Sequence, residues 1–230
     1  MLGAGESRGA VAKAPRFCLR VPESCYAYYM TTIRPATERD AAGIAKVYVD
    51  AWRSAYAAIL PHRVLLGMSC ERQTREWTWV IRNRADAQQV IVAAEGDHAV
   101  VGMTSFGPAR PSASPAGGRF AGEREAKVGE IYTLYVRPEF QERGIGRALL
   151  TAAFTAMVGK GYGCGFLWVL RDNPSRYFYE RVGGTIIAER QERLWGCVTD
   201  QICYGWPDLT QAIDRPALAR SASRPRPFRS

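Results

Sequence analysis

The sequence predicts an α/β protein in which a mixed sheet carries helices on both faces. Short apolar runs rich in Val, Ile and aromatic residues alternate with segments whose apolar residues recur at helical spacing. Along the chain these segments give the order β-α-α-β-β-β-α-β-α-β-β. The length of 230 residues and a hydrophobic content of 47% suit one substantial core. Strands and helices alternating in this way predict a layered sheet.

The first strand and first helix meet near residue 37. The strand covers residues 30–36, and the tyrosine-rich residues 26–29 can lengthen it. Thr37 supplies an N-cap, with the acidic Asp40 three residues later. The helix then runs to about Ser54, because apolar residues follow at helical spacing: Ala41, Ile44, Val47, Tyr48 and Ala51.

The next elements are a second helix and a hairpin. Ser69 caps the helix, and its core contacts are Trp77, Val80 and Ile81. The hairpin pairs residues 90–94 with 100–106 through the turn Gly96-Asp97-His98.

The second half of the chain begins with a break in this pattern. Residues 107–127 are rich in Gly, Pro and Ser and predict a long loop, which in a compact domain is usually functional or disordered. A central strand covers 128–136. The helix over 146–158 turns five residues toward the sheet: Ala148, Leu149, Ala152, Ala153 and Ala156. A strand, a helix and two closing strands follow at 166–170, 174–181, 185–188 and 199–204.

The two ends of the chain differ from the centre. Residues 1–29 form an extension without a clear period, residues 30–207 form the single domain, and residues 208–230 form a basic flexible tail. The net charge is +9, and five arginines lie in the tail. A basic protein attracts polyanionic ligands. No cluster of Lys and Arg with stacking aromatic residues is present, so we expect no nucleic-acid partner.

Membrane and metal partners are not expected either. No apolar run approaches the ~20 residues that cross a bilayer, and residues 1–29 lack the apolar stretch of a secretory signal. A cytoplasmic location is therefore the default. The six cysteines form no C-x-x-C pair, and His62 and His98 lie far apart in sequence, so no metal site is predicted.

The strongest functional signal is the loop 141–147, which follows the central strand. Gly144 and Gly146 let a bulky ligand approach the backbone closely. The first amides of the next helix have no intrahelical partners and, with the helix dipole, favour a phosphate or pyrophosphate. The spacing fits neither the P-loop nor the Rossmann fingerprint. A glycine-softened turn without a ligand is the alternative reading.

The thirteen residues 134–146 resemble the acetyl-CoA site of the GCN5-related N-acetyltransferases. They follow its order of an apolar strand, a Val-x-Pro step and a Gln-x-x-Gly-x-Gly loop. The resemblance covers residues 30–207. It implies a mostly antiparallel central sheet, splayed at the acetyl-CoA site, with acetyl-CoA as co-substrate and no metal. It also implies that main-chain groups of Leu134, Tyr135 and Val136 bond the pantetheine arm. The pyrophosphate would be held in the loop Gln141, Glu142, Arg143, Gly144, Ile145, Gly146 and Arg147.

A second segment, residues 171–184, is similar to the family's Asn…Phe-Tyr-Glu motif. The resemblance gives Asn173 a contact with the pantetheine arm and makes Tyr179 the general acid for the leaving thiolate. A phenol is protonated at pH 7, so it suits that role. Two structural alternatives stay open: Asn173 caps the helix beginning at Pro174, and Tyr179 is a core residue.

The acceptor side is less marked. Glu130, at the head of the central strand, is the candidate general base, directly or through water, and a solvated charge is the alternative. The segment 50–61 resembles a piece of one bacterial branch of the family. Trp52 and Tyr56 share a helix face there and are candidates to line an amine pocket, to which Asp50 attracts a cation; core packing is the alternative for both rings.

These predictions together describe an N-acetyltransferase that moves acetyl from acetyl-CoA to a primary amine on a small molecule, peptide N-terminus or lysine. Attack is direct, in a ternary complex, because no matched cysteine offers a nucleophile; Cys164 falls in the glycine-rich turn before a strand. A non-catalytic acyl-CoA sensor is the alternative, and an interaction protein tethered by its basic ends is another. Homodimers are common in the family, and the sequence does not decide the assembly.

Overall fold

A computed structural model describes residues 31–83, 88–96, 99–115, 127–194 and 196–214. The predictions for residues 1–29, for residue 30 of the first strand, for the turn residues 97–98, for 116–126 of the long loop and for 215–230 lie outside these residues. The strands are Thr31–Pro35 (β1), Gln89–Glu95 (β2), Ala99–Pro108 (β3), Lys127–Val136 (β4), Tyr162–Leu170 (β5), Thr185–Leu194 (β6) and Cys197–Trp206 (β7). The helices are Ala41–Ala55 (α1), His62–Leu66 (α2), Cys70–Arg82 (α3), Ile145–Val158 (α4), Arg176–Arg181 (α5) and Leu209–Asp214 (α6).

The strands of the described residues form one sheet in the order β1-β2-β3-β4-β5-β7-β6. Every neighbouring pair is antiparallel except β4 and β5. Those two parallel strands pair only from Lys127–Tyr162 to Glu130–Phe166 and then separate. The mixed, mostly antiparallel and splayed sheet that the sequence predicts is therefore confirmed.

Helices cover both faces of this sheet. On one face α4 and α6 pack with Leu149, Phe154 and Met157 against the largest buried cluster. On the other face α1 and α3 enclose Ile44, Val47 and Trp77, among others. The predicted caps are confirmed: Thr37 and Asp40 form a capping box, and the Ser69 hydroxyl accepts a hydrogen bond from the Arg72 N–H.

Some local predictions are wrong. The short helix α2 was not predicted. Ala148 is exposed, because the buried stripe of α4 runs through its larger residues. Cys164 lies buried inside β5, which begins at Tyr162, four residues before the predicted start. The helix predicted from Pro174 begins at Arg176.

The prediction of a flexible tail from residue 208 is also wrong for its first part. Residues 209–214 form α6, which packs on α4, and Leu209 is fully buried. Leu209, Ala212 and Ile213 pack against the main core cluster, and a low average hydrophobicity does not reveal such contacts. The domain therefore extends past residue 207, to at least Asp214.

Candidate active site

A cleft of about 240 Å³ opens where β4 and β5 separate. Beyond Glu130 and Phe166 the facing backbone groups of the two strands are no longer paired with each other. A bulge at Tyr132 adds to the divergence, since Ile131 pairs with Phe106 while Thr133 pairs with Ser105. The residues lining the cleft come from α1 and its C-terminal loop, from both strands and from the start of α5: Ala51, Ser54, Ala55, Tyr56, Ile131, Tyr132, Thr133, Leu134, Tyr135, Val136, Gln141, Leu167, Trp168, Val169, Asn173, Pro174, Ser175 and Tyr179.

One end of the cleft meets the glycine loop. Glu142 and Gly144 both have left-handed backbone conformations, with φ of 60° and 81°. The loop then enters α4, whose first intrahelical bond runs from the Ala148 N–H to the Gly144 carbonyl at 3.0 Å. The N–H groups of residues 145–147 therefore precede the hydrogen-bond ladder of the helix. This end of the cleft presents amide donors and a positive helix end, as an anion requires.

The glycine loop is also open on its outer side. A Cβ added to Gly144 would meet no atom of the described residues within 4 Å. Side chains brace the loop from behind: Gln141 donates to the Val136 carbonyl at 3.1 Å, and Arg143 donates to the Glu139 carbonyl at 2.9 Å. The loop is thus a braced backbone cradle with free space before it.

Comparisons with known proteins agree with this geometry. The profile of the acetyltransferase (GNAT) family matches residues 34–184. The uncharacterized N-acetyltransferase YuaI of Bacillus subtilis (strain 168) is 33% identical over 181 residues, which cover 79% of this chain and 95% of YuaI.

The chain belongs to the GNAT family. It is an acetyl-CoA-dependent acyltransferase.

Solved structures share the GNAT fold. PaiA N-acetyltransferase from Thermoplasma acidophilum in complex with coenzyme A has a TM-score of 0.56 and 20% identity, covering 75% of this chain and 97% of PaiA. The putative acetyltransferase yncA from Salmonella typhimurium, solved with its cofactor acetyl-CoA, has a TM-score of 0.55 and 24% identity, covering 78% and 94%. Acetyl-CoA is the GNAT co-substrate, and the cradle and splayed strands fit it.

Two negative findings concern the described residues alone. No helix among them is long and apolar enough to cross a membrane. No group of three or more His, Cys, Asp and Glu side chains comes together there in a way that could hold a metal ion.

Tyr179 lies on α5 and lines the cleft from the side of β5. Burial raises the pKa of its phenol, and the nearby Tyr56 raises it further. The phenol therefore stays protonated near neutral pH, and only the protonated form can donate a proton.

Asn173 is held by a local turn and by a contact across the cleft. Its side-chain oxygen accepts a hydrogen bond from the Ser175 N–H at 2.9 Å, and its amide nitrogen donates to the Tyr56 hydroxyl at 3.4 Å. The N-cap position of α5 is Ser175, not Asn173. Asn173 thus fixes the turn before α5 rather than capping the helix, and its main chain stays beside the cleft.

The aromatic residues of the acceptor side pack against one another, and they differ in whether they line the cleft. Tyr56 and Tyr135 line it, whereas Trp52 lies behind them and donates its indole N–H to the Tyr135 hydroxyl at 2.9 Å. Tyr48 packs on Trp52 with ring centroids 5.4 Å apart. Burial raises the pKa of Tyr135 well above its ordinary value. Trp52 also packs edge-on against Tyr56, with ring centroids 5.0 Å apart, so it supports the cleft lining from behind.

Asp50 is not brought together with the other candidates. It forms an ion pair with Lys46 on the same helix, 3.1 Å away, and is not among the residues that line the cleft. Positions two apart on a helix point about 200° from each other, so Asp50 and Trp52 face opposite ways.

Glu130 is buried but engaged. Its carboxylate accepts hydrogen bonds from the backbone N–H of Arg110 at 3.0 Å and from the Arg110 guanidinium. The bond to Glu130 is also the main reason that the pKa of Arg110 is raised. The carboxylate is not among the groups that line the cleft.

Sequence reasoning missed Tyr132, Thr133 and Trp168, which line the cleft from β4 and β5. The place of Trp168 in the lining could have been predicted, because alternate residues of a strand point to one face and Trp168 lies in the last strand before Asn173. The place of Tyr132 could not, because its orientation depends on the bulge.

Proposed function

We propose that the protein transfers the acetyl group of acetyl-CoA to a primary amine by direct attack in a ternary complex. The observation that carries this proposal is the continuous path from the glycine cradle, along the separated strands, to Tyr179. Pyrophosphate binds the amides of residues 142–147. The pantetheine arm runs between β4 and β5, where Asn173 and the main-chain groups of residues 134–136 that face β5 bond it.

The reaction needs one bond made and one broken. The amine lone pair forms a bond to the thioester carbonyl carbon, and the C–S electrons pass to sulfur. A main-chain N–H of β4 stabilises the negative oxygen, an interaction of about 3 kcal/mol per donor. Tyr179 gives its proton to the thiolate. The proton lost by the amine restores the phenol through water, so the products are an amide and CoA thiol.

Two roles are open to Glu130. The sequence suggests a base that acts through an intervening water, and its contacts with Arg110 suggest an anchor for the cleft wall. Its hydrogen bonds favour the second role. Among the described residues that line the cleft, none is a carboxylate or an imidazole; in this mechanism the amine gives its proton to water.

The acceptor side is formed by the rings of Tyr56, Tyr132, Tyr135 and Trp168. Aromatic rings with hydroxyl groups suit an amine carried on a partly apolar body, and a ring face attracts an ammonium ion. The acceptor is accordingly sought among amines of several shapes: an alanyl peptide, Nα-acetyl-lysinamide, spermidine and kanamycin.

The test mixes the protein with acetyl-CoA and each of these amines and measures free thiol and the acetylated product by mass spectrometry. The proposal expects thiol release that depends on at least one amine and an acetylated product in equal amount. A sensor would bind acetyl-CoA in calorimetry yet release no thiol with any amine. Thiol release with no acetylated amine would also contradict the proposal.

A further inference from the structure

The segment Pro108–Ala113, which leaves β3, bridges the two walls of the cleft. From β4, the Tyr132 hydroxyl donates to the Pro108 carbonyl at 2.7 Å. From β5, the Trp168 indole N–H donates to the Ala113 carbonyl at 2.7 Å. Both rings line the cleft. One stretch of chain therefore sets where the two rings stand relative to each other.

A buried ion pair fixes this bridging segment to the point where the strands part. Glu130 is the last β4 residue paired with β5, and its side chain is only 1% exposed. It holds Arg110 through the backbone N–H and the guanidinium together. The same guanidinium lies over the Tyr132 ring, 4.8 Å from its centroid.

A second set of contacts holds the far end of the segment. Arg190 of β6 donates to the Ser112 carbonyl at 3.1 Å and stacks on Trp168 at 4.1 Å. Ala113 is buried in a small cluster with Phe166 and Cys203. The segment is thus fastened at both walls, and Glu130 supplies its charged anchor.

We propose that Glu130 is a positioning residue that sets the width of the acceptor end of the cleft through Arg110, Tyr132 and Trp168. This inference rests on the proposed function, and it assigns acceptor selection to the bridging segment. Two observations separate it from a role as base. The carboxylate oxygens face donors from Arg110, and the carboxylate is not part of the cleft lining.

The substitution Glu130→Gln tests this role, because it keeps the shape and removes the charge. We expect the KM of each amine that the wild-type protein acetylates to rise at least fivefold. The kcat should stay within threefold, the KM of acetyl-CoA should be unchanged, and the pH profile of kcat should keep its acidic limb. Arg110→Met, at a side chain that is 57% exposed, should reproduce the effect. The double variant should add little to either single change.

Glu189→Gln is the matched control, since Glu189 also pairs with an arginine, Arg171, but on the surface away from the cleft lining. It should change none of these constants. A fall in kcat of a hundredfold or more for Glu130→Gln, with loss of the acidic limb, would instead identify a base and overturn the inference. Unchanged KM values for the amines in both Glu130→Gln and Arg110→Met would also overturn the inference.

One readout does not depend on turnover. Hydrogen exchange of the Trp168 indole N–H, followed by NMR in the full chain, should accelerate at least tenfold in Glu130→Gln and Arg110→Met and stay unchanged in Glu189→Gln. Unaltered exchange in Glu130→Gln and Arg110→Met would contradict the inference, whether or not an amine is acetylated. A failure to acetylate any amine of the panel would count against the proposed function alone.

Discussion

Gly144 offers the sharpest test of the cofactor cradle. It lies at φ 81°, a conformation that residues with a Cβ adopt at a cost of roughly 1–2 kcal/mol. Within the part of the chain that the structure describes, a Cβ there would meet no atom within 4 Å, so the side chain of Gly144→Ala would project into the space before the amides. Only a ligand in that space would contact it.

The size of the effect follows from two separate costs. The backbone cost lowers stability, and for a chain of this size each kcal/mol lowers Tm by about 2–4 °C. Gly144→Ala should therefore lose roughly 2–8 °C. Contact with the bound diphosphate should raise the Kd of acetyl-CoA about tenfold, which is about 1.4 kcal/mol. Gly144→Asp adds like charge against phosphate and should raise the Kd at least a hundredfold.

Gly161 separates the two costs. It has the same φ of 81°, and a Cβ there would also meet none of the described atoms within 4 Å, but it lies in the turn after α4. Gly161→Ala should lower Tm by a similar amount and leave the affinity for acetyl-CoA unchanged. Calorimetric titration of both variants provides the comparison. Equal Kd values for Gly144→Ala, Gly161→Ala and the wild type would refute the cradle.

Three further outcomes are expected. Tyr179→Phe should lower kcat at least tenfold with little change in the KM of acetyl-CoA. Tyr177→Phe, on the exposed face of the same helix, should not lower kcat. Equal kcat values for Tyr179→Phe and the wild type would remove Tyr179 from the mechanism. The hydrogen bond from Arg34 lowers the pKa of Asp40 from 3.8 to about 2. The ionised carboxylate therefore stabilises the fold by roughly 2 kcal/mol above pH 4, and this stabilisation is lost as the pH falls toward 2. Asp40→Asn should therefore lower the free energy of unfolding in urea at pH 6 but not near pH 2. A difference between the variant and the wild type that does not change with pH would contradict this role of Asp40. Leu209→Ala should cost about 2–5 kcal/mol in the same assay, and a loss below 1 kcal/mol would show that α6 does not support the core.

Local rules predict the glycine loop and two helix caps, although they misplace Ala148 and the start of α5. The cradle follows from two glycines between a strand and a helix, and the caps at Thr37 and Ser69 follow from side chains that reach neighbouring amides. The splayed pair β4 and β5 came from the family resemblance, since no local pattern states which strands pair. The roles of Tyr179 and Asn173 came from the same source and stay predictions.

The acceptor side could not be predicted, because contacts distant in sequence form it. Glu130 and Arg110 are 20 residues apart, and the segment that bridges the walls lies within a loop identified only by its Gly, Pro and Ser content. Asp50 looked suitable from its neighbours, but the helix turns it toward Lys46. Glu130 faces Arg110 because of a tertiary contact, whereas Asp50 faces Lys46 because the two residues lie one turn apart on the same helix.

The most direct test of the central claim is the backbone ¹⁵N–¹H NMR spectrum of the protein titrated with coenzyme A. The largest shifts should fall on the amides of residues 142–147, followed by those of residues 134–136 along β4. If the amides of residues 142–147 stay unmoved at saturating ligand, or the shifts cluster elsewhere, the cradle does not hold the diphosphate.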